Sequence, residues 1–79
     1  MEIYIVTELN ILASGEKEIY VTPFEFIADA EKEKERLTEE HIDEGYRKTQ
    51  STDTKDIYMD DYGNFYEISI KSEYLLKSF

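Results

Sequence analysis

The stretch between Pro23 and Gly45 contains no helix breaker, and it dominates what this chain can fold into. The four residues from Thr22 to Glu25 fit a capping box, with Thr22 as N-cap, Pro23 at the first helical position and Glu25 reaching back to the cap amide. Gly45 suits the left-handed residue that follows a helix. These signals predict one helix, about 33 Å long at 1.5 Å per residue, that ends just before Gly45.

Apolar residues of this predicted helix fall on one arc of the helical wheel, which indicates that a single face packs against a sheet. Lys34 lies inside the arc, and we expect its ammonium group to extend outward to solvent. His41 is the only histidine, and on this arc we expect it to be partly buried rather than to bind a metal. The arc comprises Phe26, Ile27, Ala30, Leu37 and His41, with Phe24 and Ile42 at its edge.

Two hairpins flank the predicted helix. Residues 2–9 carry β-branched and aromatic side chains at odd and even positions alike, so this strand is expected to bury both of its faces. It pairs with a second strand at residues 18–21 across a turn around Gly15. The other hairpin joins residues 56–60 to residues 64–70 through a three-residue turn that ends in Gly63. In this hairpin Ile57 with Met59, and Tyr66 with Ile68 and Ile70, are expected to face the core.

The sum of these elements is an α+β fold in two layers. We predict a mainly antiparallel sheet of three or four strands, built from the two hairpins and packed on the one long helix, in the order ββαββ. Residues 1–79 form a single domain. Residues 46–55 predict a loop, with a short edge strand at 46–50 as the alternative. Residues 72–79 fit a short C-terminal helix or another strand, and the helix is the preferred interpretation.

Missing residue types and motifs exclude several function classes. The chain has no cysteine, which removes disulfides, thiolate zinc sites and iron–sulfur clusters. The aspartates at positions 53, 56, 60 and 61 do not fit the calcium-binding EF-hand pattern, and no glycine-rich loop is present to hold a phosphate. The chain shows no secretory signal and no long apolar run, which predicts a cytoplasmic protein outside the membrane. We therefore expect no cofactor, no metal and no enzymatic activity.

The distribution of charge along the chain is more informative about function than the missing motifs. Nineteen acidic and nine basic residues give a formal net charge of −10, which argues against direct binding to nucleic acid or to an anionic membrane. Residues 23–45 carry −6 of this charge, against −3 for residues 1–22 and −1 for residues 46–79. More than half of the net charge therefore lies on the predicted helix.

Carboxylates on the predicted helix are spaced four residues apart, in a row that we call the acidic ridge. Like charges at this spacing destabilise a helix by a few tenths of a kcal/mol per pair. Helix stability therefore does not explain the row, which suggests a function for it. Each step rises about 6 Å, comparable to the separation of successive phosphates on one DNA strand. The simple alternative is a solvated helix face. The ridge comprises Glu31, Glu35, Glu39 and Asp43.

Small size, strong negative charge, absence of cysteine and the acidic segment from Glu31 to Glu44 together resemble the small inhibitors that phages make against host defences. That class includes anti-CRISPR proteins, anti-restriction proteins and uracil-DNA glycosylase inhibitors, several of which are DNA mimics. The resemblance implies a non-enzymatic inhibitor, in the host cytoplasm, that occupies the basic nucleic-acid-binding groove of a CRISPR effector or another defence nuclease. The expected phosphate surrogates are Glu31, Glu35, Glu39, Glu40, Asp43 and Glu44, joined by Asp60 and Asp61 if the fold brings them alongside.

Seven tyrosines support a different hypothesis. Most of them suit strand or packing positions, but Tyr46 and Tyr62 fall at a helix end and at a turn, where packing requires less of them. Exposed tyrosines are good anchors for a protein partner. The alternative function is therefore a small acidic adaptor or self-associating protein that binds through tyrosines or a sheet edge, with the charge serving solubility.

Overall fold

The computed structural model describes residues 1–52 and 55–74. Five strands form one sheet in the spatial order β2-β1-β5-β4-β3, and every neighbouring pair is antiparallel. A single helix in the described residues interrupts the strands after β2. The elements are β1 (Glu2–Ile11), β2 (Lys17–Phe24), α1 (Ile27–Asp43), β3 (Arg47–Ser51), β4 (Lys55–Met59) and β5 (Phe65–Tyr74).

The core lies between α1 and one face of the sheet. The helix contributes Ala30 and Leu37, which are its buried residues, and it contacts the β1, β2 and β5 side of the sheet. A chain of this size buries only about 60% of the surface that it exposes when unfolded, so each of these few contacts matters for stability. The sheet contributes the buried residues Val6, Tyr58, Tyr66 and Ile68, with Tyr4, Phe24, Tyr46 and Ile70 packed at the margin.

The predicted start of the helix is wrong. Thr22 and Pro23 lie in β2, where they pair with Val6 and Ile5 of β1, and the N-cap is Phe26, which has extended backbone and makes no side-chain cap hydrogen bond. The local pattern fits either structure, because proline also suits an edge strand and the residue before it favours extended backbone. Pairing along the ten-residue β1 decides the outcome, and α1 is correspondingly shorter than predicted.

The predicted end of the helix is confirmed. Gly45 has a φ of +99°, and its amide donates to the carbonyl oxygen of Ile42, while the amide of Tyr46 donates to that of His41. This pair of hydrogen bonds is the Schellman motif, which satisfies carbonyl groups that the last helical turn leaves open. The rings of His41 and Tyr46 meet edge to face at 5.2 Å, which supplies the apolar contact that accompanies the motif.

The predicted number and order of strands are wrong as well: the sheet has five strands, and the order is ββαβββ. The polar segment Arg47–Ser51 forms β3, an edge strand that pairs with β4 around an irregularity between Lys48 and Gln50. An edge strand rich in charge needs no apolar alternation, because backbone pairing alone can hold it. The class itself, α+β with an antiparallel sheet, agrees with the prediction.

The preferred C-terminal helix is also wrong where the structure describes it. Residues 72–74 continue β5, because the first residues of β1 offer them a pairing partner: Glu2 lies opposite Tyr74, and Tyr4 opposite Ser72. The rest of that prediction falls on residues 75–79, outside the described residues.

One of the two sets of residues that were predicted to face the core lies on the other face of the sheet. Tyr66, Ile68 and Ile70 face α1 as expected. On β4, however, Tyr58 lies opposite Tyr66 and is fully buried, so its strand neighbours Ile57 and Met59 point to the other side of the sheet. The register of the hairpin depends on tertiary pairing, and a one-residue slip exchanges the two faces.

Candidate protein-binding site on the helix

The side of α1 that faces away from the sheet carries the acidic ridge. Ala30 and Leu37 fix the orientation of the helix, because they are buried against the sheet. Successive members of the ridge rise by about 6 Å and turn by about 40°, so the row crosses the solvent side from one flank of the helix to the other. All four members, Glu31, Glu35, Glu39 and Asp43, are exposed.

The carboxylates of the ridge are available to a partner. Within residues 1–52 and 55–74, no salt bridge and no side-chain hydrogen bond engages them. By contrast, Arg36 bonds to Glu33 one helical turn before it and lies 3.3 Å from Glu40 one turn after it. Of the remaining predicted helix residues, Glu40 is therefore already paired within the chain, and Glu44 is an exposed C-cap residue.

The two turn aspartates have structural partners. Asp60 accepts hydrogen bonds from the amides of Tyr62 and Asn64, both at 2.9 Å, and from the Asn64 side chain at 2.7 Å. Desolvation works to raise the pKa of Asp60, but the bonds from Asn64 and the turn amides outweigh it, and the pKa lies below its ordinary value. Asp61 forms an ion pair with Arg47. Both aspartates are thus engaged in holding the β4–β5 turn.

The fold nevertheless brings Asp60 to the end of the helix. Burial, together with the negative charges of Asp60 and Glu44, raises the pKa of Tyr46. Tyr46 is partly buried and contacts His41 and Tyr66, so it is a packing residue rather than a free anchor. Asp60 and Glu44 therefore act on the same tyrosine, while Asp61 is neutralised by its arginine.

The expectation that His41 is partly buried is confirmed. Its ring is partly buried, its Nδ1 lies 2.8 Å from the carbonyl oxygen of Leu37, and the ring stacks on Tyr66 at 3.5 Å. Tyr66 donates in turn to Glu8 at 3.2 Å, and desolvation together with Glu8 raises the pKa of the Tyr66 hydroxyl. Among the described residues, no group of three or more histidine, aspartate or glutamate side chains is placed to hold a metal ion.

An ion pair under the helix was not predicted. The ammonium group of Lys34 lies 3.1 Å from the carboxylate of Asp56, so the expectation that Lys34 extends to solvent is wrong. Ser51 donates to the other oxygen of Asp56 at 2.5 Å. Burial works to raise the pKa of Asp56, but Ser51 and Lys34 outweigh it, and the pKa lies below its usual value. The position of Lys34 on the apolar arc was the available signal that it points toward the sheet.

This ion pair lies in a groove between α1 and strands β3 and β4. The groove has a volume of about 490 Å³ and is lined by Glu31 and Glu35 on the helix side. On the sheet side, the ammonium group of Lys48 lies 5.9 Å from the centre of the Tyr58 ring. One flank of the acidic ridge therefore borders a groove that contains two lysines, whereas Glu39 and Asp43 lie away from it.

No helix within the described residues is both long enough and apolar enough to span a membrane. No family model, curated protein or solved structure matches the chain.

Proposed function

We propose that this protein is a non-enzymatic inhibitor that binds the basic nucleic-acid-binding groove of a larger protein through the acidic ridge. The observation that carries the proposal is the row of exposed and unpaired carboxylates on the solvent side of α1. In the described part of the chain, acidic side chains that stabilise the fold form ion pairs, as Glu33 does with Arg36 and Asp56 with Lys34. The ridge carboxylates have none.

The energetics of the free helix support this proposal. Neighbouring members of the ridge repel each other by a few tenths of a kcal/mol per pair. Asp43 and Glu44 add to this cost, because they lie at the C-terminal end of α1, where the helix dipole disfavours negative charge. Lysine and arginine side chains of a partner would offset both the repulsion within the ridge and the unfavourable interaction of Asp43 and Glu44 with the helix dipole. A helix that served only to cover the sheet would gain by exchanging some of these acids for lysines.

The target class follows from the spacing and from the resemblance to phage-encoded inhibitors. Carboxylates about 6 Å apart along an axis can meet cations that are arranged to bind successive phosphates. We propose a CRISPR effector or another defence nuclease in the host cytoplasm as the partner. The ridge supplies the main contacts, and Glu40 and Glu44 extend it. Asp60 adds to the negative electrostatic potential at the C-terminal end of α1.

A competition assay tests the proposal. The probe is a panel of CRISPR effectors and restriction nucleases, each with its own fluorescent DNA, and the signal is the anisotropy of that DNA. We expect the protein to displace DNA from at least one member. Glu35→Gln combined with Glu39→Gln preserves side-chain size and removes two ridge charges. We expect this double variant to compete about tenfold less well, which corresponds to about 0.7 kcal/mol for each charge.

The matched control removes the same number of charges elsewhere. Glu2 and Glu16 are exposed carboxylates on the β1–β2 hairpin, off the helix. The double variant Glu2→Gln with Glu16→Gln should compete like the wild type. If no member of the panel loses its DNA, or if both double variants lose competition equally, the ridge is not a phosphate surrogate.

Two exposed tyrosines favour a second candidate, an adaptor that binds a protein through aromatic contacts. Tyr62 in the β4–β5 turn is 84% exposed, and Tyr74 at the end of β5 is also exposed. Tyr58 and Tyr66 are fully buried and cannot serve this role. Tyr62→Ala would abolish binding by an adaptor of this type and leave binding through the ridge unchanged.

A further inference from the structure

The sheet face that points away from α1, here called the open face, has no cover among the described residues. It is formed by the odd-numbered positions of β1 and by the residues that lie opposite them in the neighbouring strands. Ile5 lies opposite Pro23, Leu9 opposite Ile19, and Ile11 opposite Phe65. Met59 extends the face onto β4, because it lies opposite Phe65.

The open face is apolar where β1 and β2 form it and at Phe65 and Met59, whereas the rest of β5 presents Glu67, Ser69, Lys71 and Glu73 to it. Ile19 is 64% exposed, Val21 58% and Met59 37%. An antiparallel sheet with one solvated face normally alternates apolar and polar residues, but β1 has isoleucine or leucine at positions 3, 5, 9 and 11 of this face. The sequence thus predicts a strand that is buried on both faces, and the helix covers only one of them. An apolar patch of this kind marks an interaction surface.

Charge on the open face is slightly positive, unlike the charge of the whole chain, because Lys17, Arg47, Lys55 and Lys71 lie on it with only two acids, Glu67 and Glu73. Lys55 lies 3.4 Å from Glu67, and Lys71 lies 2.9 Å from Glu73, so the acids of this face are paired. By strand register, the face also carries Lys17 opposite Ile11. The excess of negative charge therefore lies on the helix side and at the edges. Two copies of a chain with a net charge of −10 repel each other, and this face is where they can meet with the least repulsion.

The size of the open face matches what a stable dimer needs. Strands spaced about 4.8 Å apart, with about 3.3 Å per residue, give the five strands a plane of about 600 Å². A specific interface buries about 600 to 1,000 Å² on each partner, so the open face reaches the lower end of that range.

We propose that the occupant of the open face is a second copy of this chain, packed face to face about a two-fold axis. Two sheets packed in this way lie about 10 Å apart, with their strands inclined by about 30°. The two-fold axis makes the same patch serve both copies. Each α1 then lies on an outer surface of the dimer, so both acidic ridges stay accessible. The proposal rests on the open face alone and does not depend on what the ridge binds.

Sedimentation equilibrium of the full chain from 1 to 200 µM, at low and at high salt, tests the proposal. We expect the wild type to reach twice the 9.4 kDa mass of one chain. Ile19→Lys with Val21→Lys places four charges in the dimer interface, and we expect the dissociation constant to rise by at least about 100-fold. Both side chains are more than half exposed in the single chain, so the variant should still fold, and circular dichroism checks this.

Tyr20→Lys is the matched control, because Tyr20 is 50% exposed on the same strand but lies opposite Glu8, on the helix side. It should leave the dimer intact. Added salt should strengthen the dimer, because it screens the repulsion between the two copies. It should weaken binding through the ridge, so the two proposals can fail separately. A wild type that stays monomeric at 200 µM, or equal effects of lysine on both faces, would overturn the dimer and leave the open face to another occupant.

Discussion

Replacing Asp56 by asparagine breaks the ion pair with Lys34 and is the sharpest test of how α1 is held on the sheet. The pair is neither fully buried nor free in solvent, with side-chain exposures of 26% for Lys34 and 11% for Asp56. Asparagine can still accept the hydrogen bond from Ser51, so the change removes mainly the charge.

The expected loss of stability lies between two limits. Hydrogen bonds to charged groups contribute about 1.5 to 3 kcal/mol, and exposed ion pairs contribute about 0 to 1 kcal/mol. Because Lys34 can turn partly to solvent once its partner is gone, we expect Asp56→Asn to cost about 2 kcal/mol at pH 7. For a domain of this size, that loss lowers the melting temperature by about 8 to 16 °C.

The pH dependence has a definite sign. The pKa of Asp56 in the folded chain lies below its ordinary value of 3.8, so its ionised form stabilises the fold. That contribution is fully present above about pH 4 and is lost as the pH falls through the folded pKa. The difference in stability between wild type and Asp56→Asn should therefore shrink below pH 4.

Urea unfolding followed by circular dichroism at pH 7 and at pH 3 measures both effects. Asp61→Asn is the matched control, since it is the same substitution in an ion pair whose side chains are 73% and 77% exposed. It should cost less than about 1 kcal/mol. If Asp56→Asn costs no more than Asp61→Asn, or if the difference from wild type is unchanged at pH 3, Lys34 and Asp56 do not anchor the helix.

Four further substitutions separate the observed fold from local sequence signals, each followed by thermal unfolding. Thr22→Ala should change the free energy of unfolding by less than about 0.5 kcal/mol, because Thr22 is an exposed strand residue; a loss of about 1 kcal/mol would restore it as a helix cap. Gly45→Val should cost at least about 1 kcal/mol because of its positive φ, and an unchanged melting temperature would contradict the Schellman motif. Tyr58→Phe should maintain or raise stability, because the Tyr58 hydroxyl is buried and has no hydrogen-bond partner among the described residues. Tyr66→Phe loses the bond to Glu8 and should be less stable, and the reverse order would show that the Tyr58 hydroxyl is satisfied.

Local signals predicted the ends of elements where one residue has a special backbone. Gly45 and the turn at Gly63 both have positive φ, and glycine is the residue that adopts it at no steric cost. The predicted start of the helix was wrong because Thr22 and Pro23 are compatible both with a helix cap and with an edge strand. Only the pairing of β2 with β1 distinguishes these structures, and pairing is a property of the whole sheet.

Polar segments were harder to predict than apolar ones. β3 is exposed along its whole length, so no alternation marks it, and its existence depends on the free edge of β4. The helical wheel correctly placed Ala30 and Leu37 on the side of the helix that faces the sheet. Phe26 and Ile27 of the same predicted arc are exposed, because α1 begins later than predicted. The engagement of Asp60 and Asp61 in the β4–β5 turn, and of Lys34 with Asp56, required the tertiary structure.

The salt dependence of binding tests the central claim most directly. With a nuclease identified in the competition assay, the dissociation constant is measured from 50 to 500 mM salt for the wild type and for the Glu35→Gln, Glu39→Gln variant. Contacts between the ridge and a basic groove predict affinity that falls steeply with salt for the wild type, and a clearly shallower slope for the variant. Equal affinities and equal slopes for the two proteins would contradict the claim that the acidic ridge replaces phosphates.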